Sequence, residues 1–197
     1  LAERGRAPLL DLNARLPDAA ASEFRRAQVR GRFIADWPLY LDNRPHGGVA
    51  GRYVLMPFRL AGSDAVVLVL RGWVARDPAD RTKLAPLATP PGEIAVQGVV
   101  KRDAGHTLQL GAEPPPRAGA IVQDVDLGAL RKASGLPVAS FVLEQTSEAA
   151  DGLVRDWPHP AAGVDKHWGY AFQWYALAAT AIVFFVVTGF RSARKQT

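Results

Sequence analysis

Residues 65–74 read Ala65-Val66-Val67-Leu68-Val69-Leu70-Arg71-Gly72-Trp73-Val74. An unbroken apolar run of strand-forming residues that shows no polar face fits a central strand buried on both sides. Gly72 interrupts the run, where it permits a bulge or the close approach of another backbone. Trp73 then either closes the core, which is the default, or presents a binding surface. Arg71, Gly72 and Trp73 are therefore candidate interaction residues.

Other extended segments surround this one. Ala27, Val29, Gly31, Phe33 and Ala35 alternate with Arg26, Gln28, Arg30 and Arg32, which predicts a strand with one packed and one basic face. Leu39–Leu41 leads into the turn-rich 42–48, and Arg52–Leu60 resumes extended structure, interrupted at Pro57. Residues 76–92 carry four prolines and no periodicity, which predicts a long surface loop. Ile94, Val96, Gly98 and Val100 alternate, a short strand is predicted at 107–110, and Val138–Glu144 supplies another. Asp126 is placed to cap a short helix over Leu127–Ser134, ended by Gly135 and Pro137.

The 197 residues include 24 basic and 19 acidic side chains, a formal charge of +5, and 33 glycines and prolines, which favours turns and short elements. Residues 1–166 hold 21 of the basic and all 19 acidic groups, so the body of the chain is nearly balanced. That balance, with no sustained basic-aromatic tract, argues against nucleic acid as a partner. The absence of cysteine excludes disulfides and thiolate metal sites, and the single methionine excludes a methionine-rich copper site.

From Trp168 to Phe190 the sequence WGYAFQWYALAATAIVFFVVTGF has 23 uncharged residues, 18 of them apolar or aromatic. At about 1.5 Å per residue a helix of this length covers a hydrocarbon core of about 30 Å, which predicts a transmembrane helix. Arg191, Arg194 and Lys195 follow it closely, so the positive-inside rule makes the tail cytoplasmic and turns residues 1–166 outward, toward the periplasm of a bacterium. The expected class is thus α+β: a β-rich outward-facing domain over 1–166, a C-terminal transmembrane helix over 167–190 and a cytoplasmic tail over 191–197. Such a domain needs an export device upstream of Leu1, either a cleaved signal peptide or a second transmembrane helix.

No nucleophile and base stand at recognisable spacing, and no phosphate-binding or zinc motif occurs, so an enzyme is not expected. Asp124 and Asp126 form a D-x-D that suits a turn and helix cap better than a cation. His167 stands at the start of the apolar run, and at about 100° per residue Tyr170, Ala171, Trp174 and Ala178 share its face. Two small and two flat side chains beside an imidazole suit a planar apolar ligand with the histidine as axial iron ligand. The plainer reading is a histidine that anchors the helix among lipid headgroups. Gln173 and Thr180 lie a heptad apart on roughly the opposite side, a candidate face for another helix.

Several segments, taken in order, resemble the surfeit locus protein 1 family, the cytochrome c oxidase assembly factors. They are Glu23-Phe24-Arg25-Arg26 with Val29-Arg30-Gly31-Arg32-Phe33; Arg44-Pro45 with Gly47, Gly51, Val54 and Pro57; Val69-Leu70-Arg71-Gly72-Trp73-Val74; and Lys166-His167-Trp168-Gly169-Tyr170-Ala171-Phe172-Gln173-Trp174. Leu70 and Trp168 depart from the family pattern, which often has Asn and Leu there. The resemblance implies two membrane helices flanking an outward domain in a bacterial inner membrane. It also implies a non-enzymatic chaperone that assists delivery or insertion of haem a into oxidase subunit I, alongside other assembly factors and membrane lipid. His167 then falls on the family histidine as haem iron ligand, with Tyr170 and Trp174 on its aromatic positions. The alternative is a haem-independent scaffold or accessory subunit of the oxidase.

Overall fold

The computed structural model of the protein describes residues 7–105, 115–157, 173–180 and 184. Its strands are β1 (Leu10–Asp11), β2 (Arg26–Phe33), β3 (Leu39–Leu41), β4 (Gly51–Leu60), β5 (Val66–Ala75), β6 (Ile94–Lys101), β7 (Ile121–Val122) and β8 (Val138–Gln145). Two short helices accompany them, α1 (Ala19–Ser22) and α2 (Leu127–Ser134).

Five strands close into a barrel in the order β2–β6–β8–β5–β4, and β4 returns to β2 through Gly31–Leu60, Arg32–Arg59 and Phe33–Phe58. Only β5 and β8 run parallel within that ring; its other pairs are antiparallel. Closure removes the free edges that a five-stranded open sheet would leave. β1 pairs with the start of β2, while β3 and then β7 extend the sheet from the first half of β4.

Period-two patterning fills the barrel. Ala27 and Val29, Phe58 and Leu60, Val67 and Val69, Val96 and Val100, and Phe141 and Leu143 form one apolar cluster with Leu12. The first eight residues of β5 are all buried, as the run Val66–Trp73 suggests. β4 passes through Pro57 without a break because the proline stands where β4 leaves β3 and joins β2, a changeover that lacks a full ladder on that side. α2 is capped as expected: the Asp126 carboxylate accepts from the Ala129 amide at 2.8 Å, and Gly135 (φ 69°) donates its N–H to the Arg131 carbonyl.

The expected class requires correction. Among the described residues no helix is long and apolar enough to cross a membrane, so the α+β domain with a C-terminal transmembrane helix gives way to a five-stranded barrel with short helices. Of 167–190, the structure describes 173–180 and 184, as helix. The cytoplasmic tail expected over 191–197 lies outside the described residues. The strand expected at 107–110 lies outside the described residues. The chain divides into two compact units, Leu1–Arg155 and Asp156–Thr197.

Candidate functional site

The register of β4 against β5 slips once: Val54 pairs with Gly72 and Leu55 with Leu70, so Arg71 is the extra residue of a bulge. A bulge re-aims the side chain it carries. Here it turns a guanidinium inward, 1% exposed, with its Cζ 4.5 Å from the centre of the Phe33 ring. Nη2 donates to Asp151 Oδ2 at 2.9 Å and to the Ala88 carbonyl at 2.8 Å, while Nη1 donates to Thr89 Oγ1 at 3.0 Å. Burial pulls the Arg71 pKa down, and the hydrogen bond and charge of Asp151 oppose that pull.

Asp151 joins two cations. Arg155 Nη2 reaches the same Oδ2 at 2.5 Å, and the Leu153 amide donates to Oδ1 at 3.2 Å. Burial works to raise the Asp151 pKa, but the bonds from Arg155, the Leu153 amide and Arg71 outweigh it and hold the carboxyl below its ordinary 3.8. Gly72 completes the joint. A Cβ there would stand 2.7 Å from Leu153 Cβ and 2.9 Å from the Val154 carbonyl, so the missing side chain lets the 151–155 strap lie against β5. Trp73 and Val154 exchange both backbone hydrogen bonds, at 2.7 and 2.9 Å.

Two further buried arginines act in the same way. Arg52 Nε pairs with Asp42 Oδ1 at 3.0 Å, and its other nitrogens donate to the carbonyls of Lys83 and Arg81. Arg44 donates to the carbonyls of Asp42, Gly105 and Gln123 at 3.0, 2.9 and 3.2 Å. Trp73 Nε1 in turn donates to the Arg44 carbonyl at 2.6 Å, with His46 tilted over its ring at 5.2 Å. Irregular backbone near a core needs partners for its carbonyls, and a planar guanidinium supplies several donors in fixed directions. Arg71 and Arg52 thus fasten the proline-rich 76–92 loop to the barrel, and Arg44 fastens 103–105 and 121–124.

The arrangement is suited to holding a shaped surface. Among the described residues no group of three or more His, Cys, Asp or Glu side chains is placed to hold a metal ion. One pocket of about 430 Å³ is lined by Asp42, Asn43, Arg76, Arg81 and Gln123, and another of about 420 Å³ by Thr146, Glu148, Ala149, Leu153 and Arg155.

The candidates named from sequence fall in two places. Arg71, Gly72 and Trp73 lie together on β5, where all three are buried. Gln173 and Trp174 open the described helical residues of the second unit and are exposed, and Thr180 Oγ1 donates to the Ala176 carbonyl of its own helix at 2.8 Å. His167 and Tyr170 lie outside the described residues. Asp151, Arg155, Arg52 and Thr89 were not legible as site residues. Asp151-Gly152 has the look of an ordinary turn, and Arg44 carried a signal only through its proline neighbour.

Comparison with known proteins gives a consistent result. Residues 1–179 match the SURF1 (surfeit locus protein 1) family. The chain is 28% identical to a SURF1-like protein of Drosophila melanogaster, with 83% of this chain and 58% of that protein covered. A SURF1-like protein of Rickettsia bellii is also 28% identical, with 90% and 73% covered, and one of Monosiga brevicollis is 26% identical, with 86% and 67% covered. The chain thus spans somewhat under two thirds of the length of the Drosophila relative.

Proposed function

Because this chain belongs to the SURF1 family, a cytochrome oxidase assembly family, we propose that it assists assembly of cytochrome c oxidase by aiding delivery or insertion of haem a into subunit I. The observation that carries this reading is the extent of the family match, which runs through the barrel and on across His167–Trp174 to residue 179.

Neither of the two pockets named above offers an apolar bed for a macrocycle. Both pockets are lined largely by charged and polar groups, and His46 is engaged with Trp73. The haem reading therefore rests on the His167 segment, where an imidazole would supply the axial ligand and Tyr170 and Trp174 flat apolar faces. Trp174 is 71% exposed, so its indole is available. In this reading the barrel supplies a rigid surface for the partner.

The full chain co-expressed with haem a synthesis tests the ligand. His167→Ala is expected to lower co-purifying haem a by about tenfold, the consequence of losing about 1.4 kcal/mol of affinity. Equal occupancy in the two proteins removes His167 as ligand. A stoichiometric, haem-independent complex with the mature oxidase would then favour the second reading, a scaffold or accessory subunit, which the rigid arginine-held surface also supports.

A further inference from the structure

The barrel strands have an uneven charge distribution. β2, β4, β5, β6 and β8 together carry Arg26, Arg30, Arg32, Arg52, Arg59, Arg71 and Lys101, against the single acid Glu144. Arg52 and Arg71 are buried in the clamps described above, and Lys101 lies 3.7 Å from Glu144. What remains is Arg59 on β4 and three arginines on the outer face of β2. Arg26, Arg30 and Arg32 are exposed, alternating with Ala27, Val29 and Gly31, which are buried. Their guanidiniums make no hydrogen bond or ion pair among the described residues.

Three neighbours sharpen the feature. Arg32 stands directly opposite Arg59 in the β2–β4 ladder, a like-charge cross-strand pair that destabilises a sheet. Asp64 offsets it weakly, at 3.4 Å from Arg59 with its own side chain 98% exposed. On the other side, Arg30 faces the small, exposed Ala95 of β6, which leaves the guanidinium open from above. Two acids border the stripe: Asp11 of β1 pairs beside Gln28, with one carboxylate oxygen accepting from the Asn13 amide at 3.0 Å, and exposed Glu93 precedes Ile94, the β6 partner of Gly31.

We infer that this outer face of β2, centred on Arg30, Arg32 and Arg59, docks an acidic, extended segment of a partner polypeptide. Side chains on one face of a strand recur about every 6.8 Å, and so do alternate side chains of an extended peptide. Carboxylates two residues apart in such a segment meet Arg30 and Arg32 together, and the one beside Arg32 relieves its repulsion with Arg59. This inference concerns a protein partner and is independent of haem handling.

The test uses the full chain and a fluorescein-labelled peptide of strictly alternating Glu and Ser, with a block isomer of the same composition as comparison. At low salt the alternating peptide is expected to bind more tightly than the block isomer, and to be released as ionic strength rises. Arg30→Gln/Arg32→Gln is expected to weaken binding about tenfold, whereas Arg117→Gln/Lys132→Gln, which removes the same charge elsewhere on the surface, leaves it within about twofold. Arg32→Gln alone is expected to raise Tm, which separates loss of the site from loss of the fold. Equal weakening in the two double variants overturns the inference, as does a failure to bind either peptide. Preference for phosphatidylglycerol vesicles over the alternating peptide would also overturn it, in favour of a lipid surface.

Discussion

Asp151→Ala is expected to lower the stability of the barrel domain by about 3–5 kcal/mol, the usual consequence of removing one partner from a buried ion pair. The effect is large because one carboxylate oxygen serves two guanidiniums, those of Arg71 at 2.9 Å and Arg155 at 2.5 Å. Without it two positive charges face each other in a site that is 1–2% exposed at Arg71 and Asp151. The strap over Gly72 and the loop at Ala88–Thr89 would lose their common fastening. Urea unfolding of wild type and variant measures the difference.

The same carboxyl gives a pH dependence. Its pKa is held below 3.8 in the folded protein, so ionised Asp151 stabilises the fold fully above the unfolded-state value. That contribution fades as pH falls through the depressed folded value. The stability gap between wild type and Asp151→Asn is therefore expected to be constant near neutrality and to shrink below about pH 4. A gap that grows on acidification would mean that Asp151 is not the ionised centre of the cluster.

Gly31→Ala is expected to cost about 3 kcal/mol, at the upper end for overpacking a filled core. A Cβ at Gly31 would overlap the Arg59 carbonyl and come within 2.9 Å of the Phe58 ring. Backbone cannot swing aside as a flexible side chain can, so β2 and β4 would have to separate at Gly31–Leu60 and Arg32–Arg59, where the barrel closes. Thermal unfolding and near-ultraviolet circular dichroism report the loss. A variant within about 0.5 kcal/mol of wild type would mean that closure tolerates far more adjustment than this packing implies.

What the sequence revealed depended on the range over which the information acts. β5 was legible because Ala65–Leu70 is an unbroken apolar run, and β2 because its buried and exposed residues alternate. The α2 cap is written within ten residues, from Asp126 to Gly135. Gly72 signalled a bulge or a close approach, and the structure contains both. The partner of Arg71 lies 80 residues away in the chain, and nothing local to Asp151-Gly152 marks it as an ion-pair centre. Barrel closure was hidden for the same reason, since the β2–β4 register is a long-range property. At the C-terminus, hydropathy alone suggested a membrane span, whereas the described helical residues there are 173–180 and 184. Arg71 was named as a candidate, but its burial and the clamping role of Arg52 were missed: charged residues in a strand pattern are normally read as facing solvent, and a bulge and nearby carbonyls reverse that expectation.

The assembly role is tested most directly in cells lacking this chain, by measuring the amount of oxidase subunit I and the haem a it contains. The account predicts subunit I deficient in haem a, restored when the wild-type chain is supplied. Haem-loaded, active oxidase at wild-type abundance in its absence would contradict the account.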